Sequence, residues 1–173
     1  MGRVQIKTIA SALAIAAALT AAPAAAETLK MAWSQDATGL DPHKQTAFAS
    51  IRLLELVYEP LVRTDAELNV VPAIATSWEF SEDGKTLTFK LDPNARFSNG
   101  DKVMPADVKA SFERILDEAT SAAARSNFLS IESIDTPDDE TVVFNLSQPD
   151  VPLLTAMSSI NAAIVPASAI EAG

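Results

Sequence analysis

Two alternating runs, Trp78-Glu79-Phe80 and Thr86-Leu87-Thr88-Phe89-Lys90-Leu91, flank the segment Ser81-Glu82-Asp83-Gly84-Lys85. Side chains on a strand point to opposite faces in turn, so Trp78, Phe80, Leu87 and Phe89 can share one core. The Asp-Gly pair closes the turn, because Gly84 takes positive φ without a Cβ penalty. The spacing predicts an antiparallel hairpin, and whatever else the chain forms must cover its apolar face.

Other segments supply that cover. Pro105 near a first helical position and Asp107 in a first turn mark a helix start. Val108, Phe112, Ile115 and Leu116 then form one stripe ending near Glu118. Asp92-Pro93-Asn94 and Ser98-Asn99-Gly100-Asp101 read as turns that bring the chain to this helix. Ile131–Asp135 and Thr141–Leu146 predict a second hairpin across Pro137-Asp138-Asp139. From Ala47 to Tyr58 the positions of Ile51, Leu54, Val57 and Tyr58 predict an amphipathic helix stopped by Pro60, with Arg52, Glu55 and Glu59 on its wet face. Thr28–Trp33 and Ala162–Val165 are expected as short strands, and Val151–Met157 as a short helix with Pro152 at its start. The fold class is α/β, in the mixed α+β sense.

The N-terminus differs from the rest. Met1 to Ala26 carries Arg3, Lys7 and no acid, then an apolar run from Ile9 to Leu19, then small residues including Ala24 and Ala26. This is the three-part pattern of a secretory signal peptide, and the run is too short for the roughly 20 residues that span a bilayer. Cleavage after Ala26 and an exported, periplasmic chain are expected.

Composition removes several function classes. The chain has no cysteine and one histidine, His43, so thiol chemistry and multi-His metal sites are excluded and no metal is expected. A formal net charge of −10 over 173 residues argues against nucleic acid as a partner. Only 5 glycines are present and none forms a phosphate loop, so no cofactor is expected. The adjacent carboxylates Glu82-Asp83 and Asp138-Asp139-Glu140 fall in turns, where Asp is at home. Asn99-Gly100-Asp101 lacks the alternating oxygen ligands of a calcium loop. Asp41-Pro42-His43 could pair a base with an orienting acid, which leaves an exported hydrolase as an alternative. No catalytic residue is assigned and no enzyme is expected.

An ordered series of motifs goes further. Leu40-Asp41-Pro42-His43 is followed by Val57-Tyr58-Glu59-Pro60-Leu61-Val62, Val71–Glu79, Asp83–Leu91, Phe97-Ser98-Asn99-Gly100 and Ala106–Arg114. In this order the chain resembles the N-terminal part of the family 5 extracytoplasmic solute-binding proteins, the peptide, nickel and oligosaccharide class of ABC importers. Two departures are Asp92, where a basic residue is usual, and Pro105, where an alanine is usual.

The resemblance implies a fragment of the type II periplasmic-binding-protein fold. Residues 27–61 would begin the large ligand-binding lobe, residues 62–160 would form a small extra α/β domain, and residues 161–173 would start the return to the large lobe. It implies a solute, most readily a peptide, an ABC permease as partner, and a monomer. Peptide-binding members pair ligand backbone with the stretch after the Asp-Pro-His motif, here Gln45, Thr46, Ala47 and Phe48. Tyr58, Trp78, Phe89, Gly100 and Phe112 are expected to be architectural. A non-binding truncated remnant is the other alternative.

Overall fold

The computed structural model describes residues 34–172. The expected leader and the expected strand Thr28–Trp33 lie outside the described residues.

Helix α1 covers Phe48–Leu54. Strands β1 (Val62–Thr64) and β2 (Val70–Pro72) form a two-stranded antiparallel ribbon. Strands β3 (Ala75–Phe80) and β4 (Thr86–Leu91), helix α2 (Pro105–Leu116), and strands β5 (Ile131–Asp135) and β6 (Thr141–Leu146) follow. Helices α3 (Pro152–Ala156) and α4 (Ala167–Glu171) close the described chain. The four longer strands make one antiparallel sheet in the order β3-β4-β6-β5.

The Asp-Gly hairpin forms as its residues demand. Trp78 pairs with Phe89 and Phe80 with Leu87, and Gly84 sits at φ 68°. Asp83 locks the turn, accepting from the Ser81 hydroxyl (2.6 Å) and the Lys85 N–H (3.0 Å). Strand β3 begins three residues earlier than the alternating run suggests, at Ala75, across an irregularity between Ala75 and Ser77. The second hairpin has the predicted limits, with Asp138 closing it on the Glu140 N–H and the Thr141 hydroxyl.

Helix α2 covers the sheet. Val108, Phe112 and Ile115 are buried, while Asp107 returns an oxygen to the Met104 N–H at 2.8 Å and fixes the helix start. Phe112 stands edge-on to Phe144 of β6 (5.0 Å) and to Phe128 (5.3 Å), and Phe144 is edge-on to Phe89 of β4 (5.7 Å). Edge-to-face packing suits the ring quadrupoles and adds to the area buried. One core therefore runs from Leu61 to Ile164. Phe89 and Phe112 are fully buried in it, and Trp78 lies half-buried against it. Gly100 takes φ 94° in an exposed turn where the Phe97 carbonyl accepts its N–H.

Three local expectations are corrected. The helix at 47–58 stops at Leu54, because the next amides bond back as turns, Leu56 to Leu53 and Val57 to Leu54. Val57 is consequently 71% exposed, although its spacing placed it on the apolar stripe. The ribbon β1–β2 escaped the pattern reading: each strand has three residues, too few for alternation to register. Its turn is held by Asp65, which accepts from the Glu67 and Asn69 amides. Finally, Ala162–Val165 is not a strand. Ile160–Ala162 is a 3-10 turn, and the extended residues after it bond to α2 side chains and a loop carbonyl rather than to a strand.

Replacing Phe112 by Ala removes a ring at the junction of α2, β6 and Phe128. A loss of about 3–5 kcal/mol is expected in chemical denaturation. A change below about 1 kcal/mol would contradict this packing.

Candidate functional site

The Asp-Pro-His motif and the Ala106–Arg114 motif, far apart in sequence, meet in space. His43 is fully buried. Its Nε2 lies 2.9 Å from the Ala163 carbonyl, and its Nδ1 lies 2.8 Å from Nη1 of Arg114. A carbonyl only accepts and a guanidinium only donates, so Nε2 carries the proton and Nδ1 is the bare acceptor. The same guanidinium grips Asp41 with two bonds, Nη1 to Oδ1 at 3.1 Å and Nη2 to Oδ2 at 2.6 Å. Asp41 in turn caps its own loop by accepting the His43 N–H at 3.0 Å.

Three further bonds finish the attachment. Asn161 donates its side-chain amide to the carbonyls of Pro42 (2.6 Å) and Gln45 (3.0 Å), and the His43 carbonyl accepts the Ala123 N–H (2.8 Å). The segment 161–167 is itself fastened to α2: Val165 N–H donates to the buried Ser111 hydroxyl and Ala167 N–H to Asp107. Loop 41–45, helix α2 and segment 161–167 thus form one polar knot around a single imidazole.

Charge follows from these contacts. The Arg114 hydrogen bonds hold the Asp41 carboxyl below the usual carboxylate range, and Asp41 raises the guanidinium further. Burial, helped by the Arg114 charge, holds the His43 imidazole below its ordinary value against the pull of Ala163 and Asp41. Both ring nitrogens are committed and the ring is enclosed, so His43 has no free nitrogen to act as a base. The hydrolase alternative loses its only candidate. Among the described residues no group of three His, Cys, Asp or Glu side chains could hold a metal ion.

The knot also determines where the stretch after the motif lies. Gln45 is held through its carbonyl, and its side-chain oxygen accepts the Thr38 hydroxyl at 3.0 Å. Thr46 is exposed, Ala47 is extended at φ −69° and ψ 130°, and Phe48 opens α1 with 67% of its surface exposed. The Arg52 guanidinium lies 4.4 Å from the Phe48 ring centre. Nearby, Tyr58 is half-buried against Leu54, Ile160 and Ala163 and borders three clefts of about 520, 470 and 240 Å³. The smallest opens onto Asp41 and Arg114, and none of the three is lined by Gln45–Phe48. Sequence reading singled out the Asp-Pro-His motif, but missed Arg114 and Asn161 as the side chains that hold its loop. Only the presence of Arg114 inside a quoted motif pointed that way.

Among the described residues no helix is long and apolar enough to cross a membrane.

Comparison with known proteins gives a consistent answer. Residues 69–172 match the family model described as bacterial extracellular solute-binding proteins, family 5 middle. A Brucella ovis protein provisionally named an ABC transporter peptide-binding protein is 31% identical over 166 residues, 90% of this chain and 31% of its own length. The periplasmic oligopeptide-binding protein OppA of Haemophilus influenzae is 36% identical over 99 residues, 57% of this chain and 18% of its own. Among solved structures, AgaA of A. tumefaciens R10, in complex with agropinic acid, superposes with a TM-score of 0.76 at 35% identity, covering 79% of this chain and 28% of that one. The chain spans about a third or less of the length of these curated relatives.

Removing Arg114 takes both charge-assisted bonds from Asp41, which keeps only the His43 N–H, and leaves the buried Nδ1 without a donor. Arg114→Met is expected to cost about 2–3 kcal/mol by urea unfolding. Lys44→Ala, which removes an exposed pairing with Asp41 at 4.0 Å, should cost no more than about 0.5 kcal/mol. Equal effects would mean that Arg114 is an ordinary surface charge.

Proposed function

Because this chain belongs to the bacterial extracellular solute-binding proteins of family 5, we propose that it is the N-terminal part of a periplasmic component that delivers peptides to an ABC permease. The reading rests on one observation above others: likeness across 90% of the chain to relatives named for peptide binding by ABC transporters. The leader to Ala26 serves export, and the mature chain starts at Glu27. Residues 27–61 begin the ligand-binding lobe, residues 62–160 form the small extra domain, and residues 161–173 return toward that lobe. The working protein is a monomeric clamp that takes its ligand between two lobes and closes on a hinge before docking on the permease.

Within this chain, the ligand contact is assigned to Gln45, Thr46, Ala47 and Phe48. An extended stretch offers backbone donors and acceptors to a peptide laid alongside it, as in strand addition. The extended backbone at Ala47 and the exposure of Thr46 and Phe48 support this assignment. Most of the contacts that desolvate a ligand in a clamp come from closure of the second lobe, so the isolated segment has little affinity.

Isothermal calorimetry with tri- to pentapeptides tests both parts. The 173-residue chain alone should bind in the millimolar range or not at all. A polypeptide continued to the length of its relatives should bind at micromolar concentrations or below. In that longer form Phe48→Pro should weaken binding about tenfold, since it strips a ring and a backbone donor from the stretch. The substitution suits the fold, because Phe48 is the first helical residue and the extended Ala47 tolerates a following proline. Micromolar binding by the short chain would misplace the site, and unchanged affinity in Phe48→Pro would remove this stretch from it.

A further inference from the structure

The imidazole at the centre of the knot is present in the one protonation state that its surroundings admit. The groups that face it come from each element packed against it. Arg114 of α2 donates to Nδ1, the Ala163 carbonyl of segment 161–167 accepts from Nε2, and the turn at Ala123 contributes only a backbone N–H to the His43 carbonyl. From its own loop, Asp41 lies against the backbone and is already engaged by both guanidinium nitrogens, with Lys44 4.0 Å away. A proton added to His43 must go to Nδ1. There it would set an N–H against a guanidinium N–H at 2.8 Å and put two cations in contact inside a buried site.

We propose that the Arg114–His43–Asp41 knot is an acid-release latch, which holds loop 41–47 on the α/β core while His43 is neutral and lets it go when the ring is protonated. Protonation would turn an acceptor into a donor facing a donor, so the imidazolium is accommodated only by moving the ring away from Arg114. The latched state binds fewer protons than the released state. Its stability is therefore complete above the ordinary histidine value near 6.5 and falls as the pH drops below it. Histidine is the side chain that ordinarily titrates between pH 5 and 8, and the chain has only one. The core of β4, β6 and α2 has no such group at its centre, since its buried side chains are almost all apolar.

The consequence is local. The loop carries Gln45–Phe48 immediately behind the ring, so release would disorganise the stretch assigned to ligand. That consequence rests on the functional reading above, while the latch itself does not. The test is therefore made without ligand.

Amide hydrogen exchange on the whole chain, expressed as protection factors to remove the intrinsic pH dependence, is compared at about pH 7.5 and about pH 5. Amides that belong to the knot, such as those of His43, Lys44 and Ala123, should lose about tenfold or more in protection at the lower pH. Amides of Leu87 and Phe89 in the sheet should not change. His43→Gln, which cannot take up a proton, should abolish the acid-induced loss. Should that variant fail to fold, the unaltered chain serves: the loss of knot protection should follow the titration of the His43 ring read by NMR, and a loss that does not track the ring would overturn the latch. Equal knot protection at both pH values in the unaltered chain, or the same loss in a folded variant, would overturn the latch.

Discussion

One guanidinium connects the parts of this molecule that local sequence does not. Arg114 sits near the end of a helix whose buried face is already committed to the sheet, and its side chain carries that rigidity outward to a loop with no regular structure of its own. Bidentate pairing to Asp41 fixes the loop in orientation as well as in distance, because the planar fork matches a carboxylate in one plane. The third bond, to His43 Nδ1, selects the ring tautomer and thereby aims Nε2 at Ala163. Loop, helix and returning segment are each held by the other two.

That arrangement leaves His43 a structural part rather than a base. A catalytic histidine needs a nitrogen that substrate can reach, whereas this one is enclosed and spent on both sides. A scaffold that presents an extended stretch to a ligand needs the stretch's ends fixed and its middle open. Gln45 is tied by its carbonyl and Phe48 begins a helix, with an exposed residue between them.

The α/β core was legible because its signals are local. Asp83-Gly84 and Pro137-Asp138-Asp139 mark turns, the alternation on either side marks strands, and Pro105 with Asp107 marks a helix start. Those elements appear at or near their predicted limits because burial and local preference point the same way. The ribbon β1–β2 was invisible for want of length, and Ala162–Val165 read as a strand only because apolar residues are also needed where a coil packs under a helix. The knot was illegible for a different reason. Asp41 and Arg114 are 73 residues apart, and no periodicity relates a carboxylate in one loop to a guanidinium on a distant helix. The motifs containing them could be recognised, but their contact is a product of the fold.

The central claim is that Arg114 holds His43 as a neutral, Nδ1-accepting imidazole. Nitrogen-15 NMR of the single histidine reads this directly, since protonated and bare ring nitrogens resonate far apart. At neutral pH the account predicts a bare Nδ1 coupled across its hydrogen bond to the Arg114 guanidinium and a protonated Nε2. A ring protonated at Nδ1, or one averaging between tautomers as a free histidine does, would contradict it.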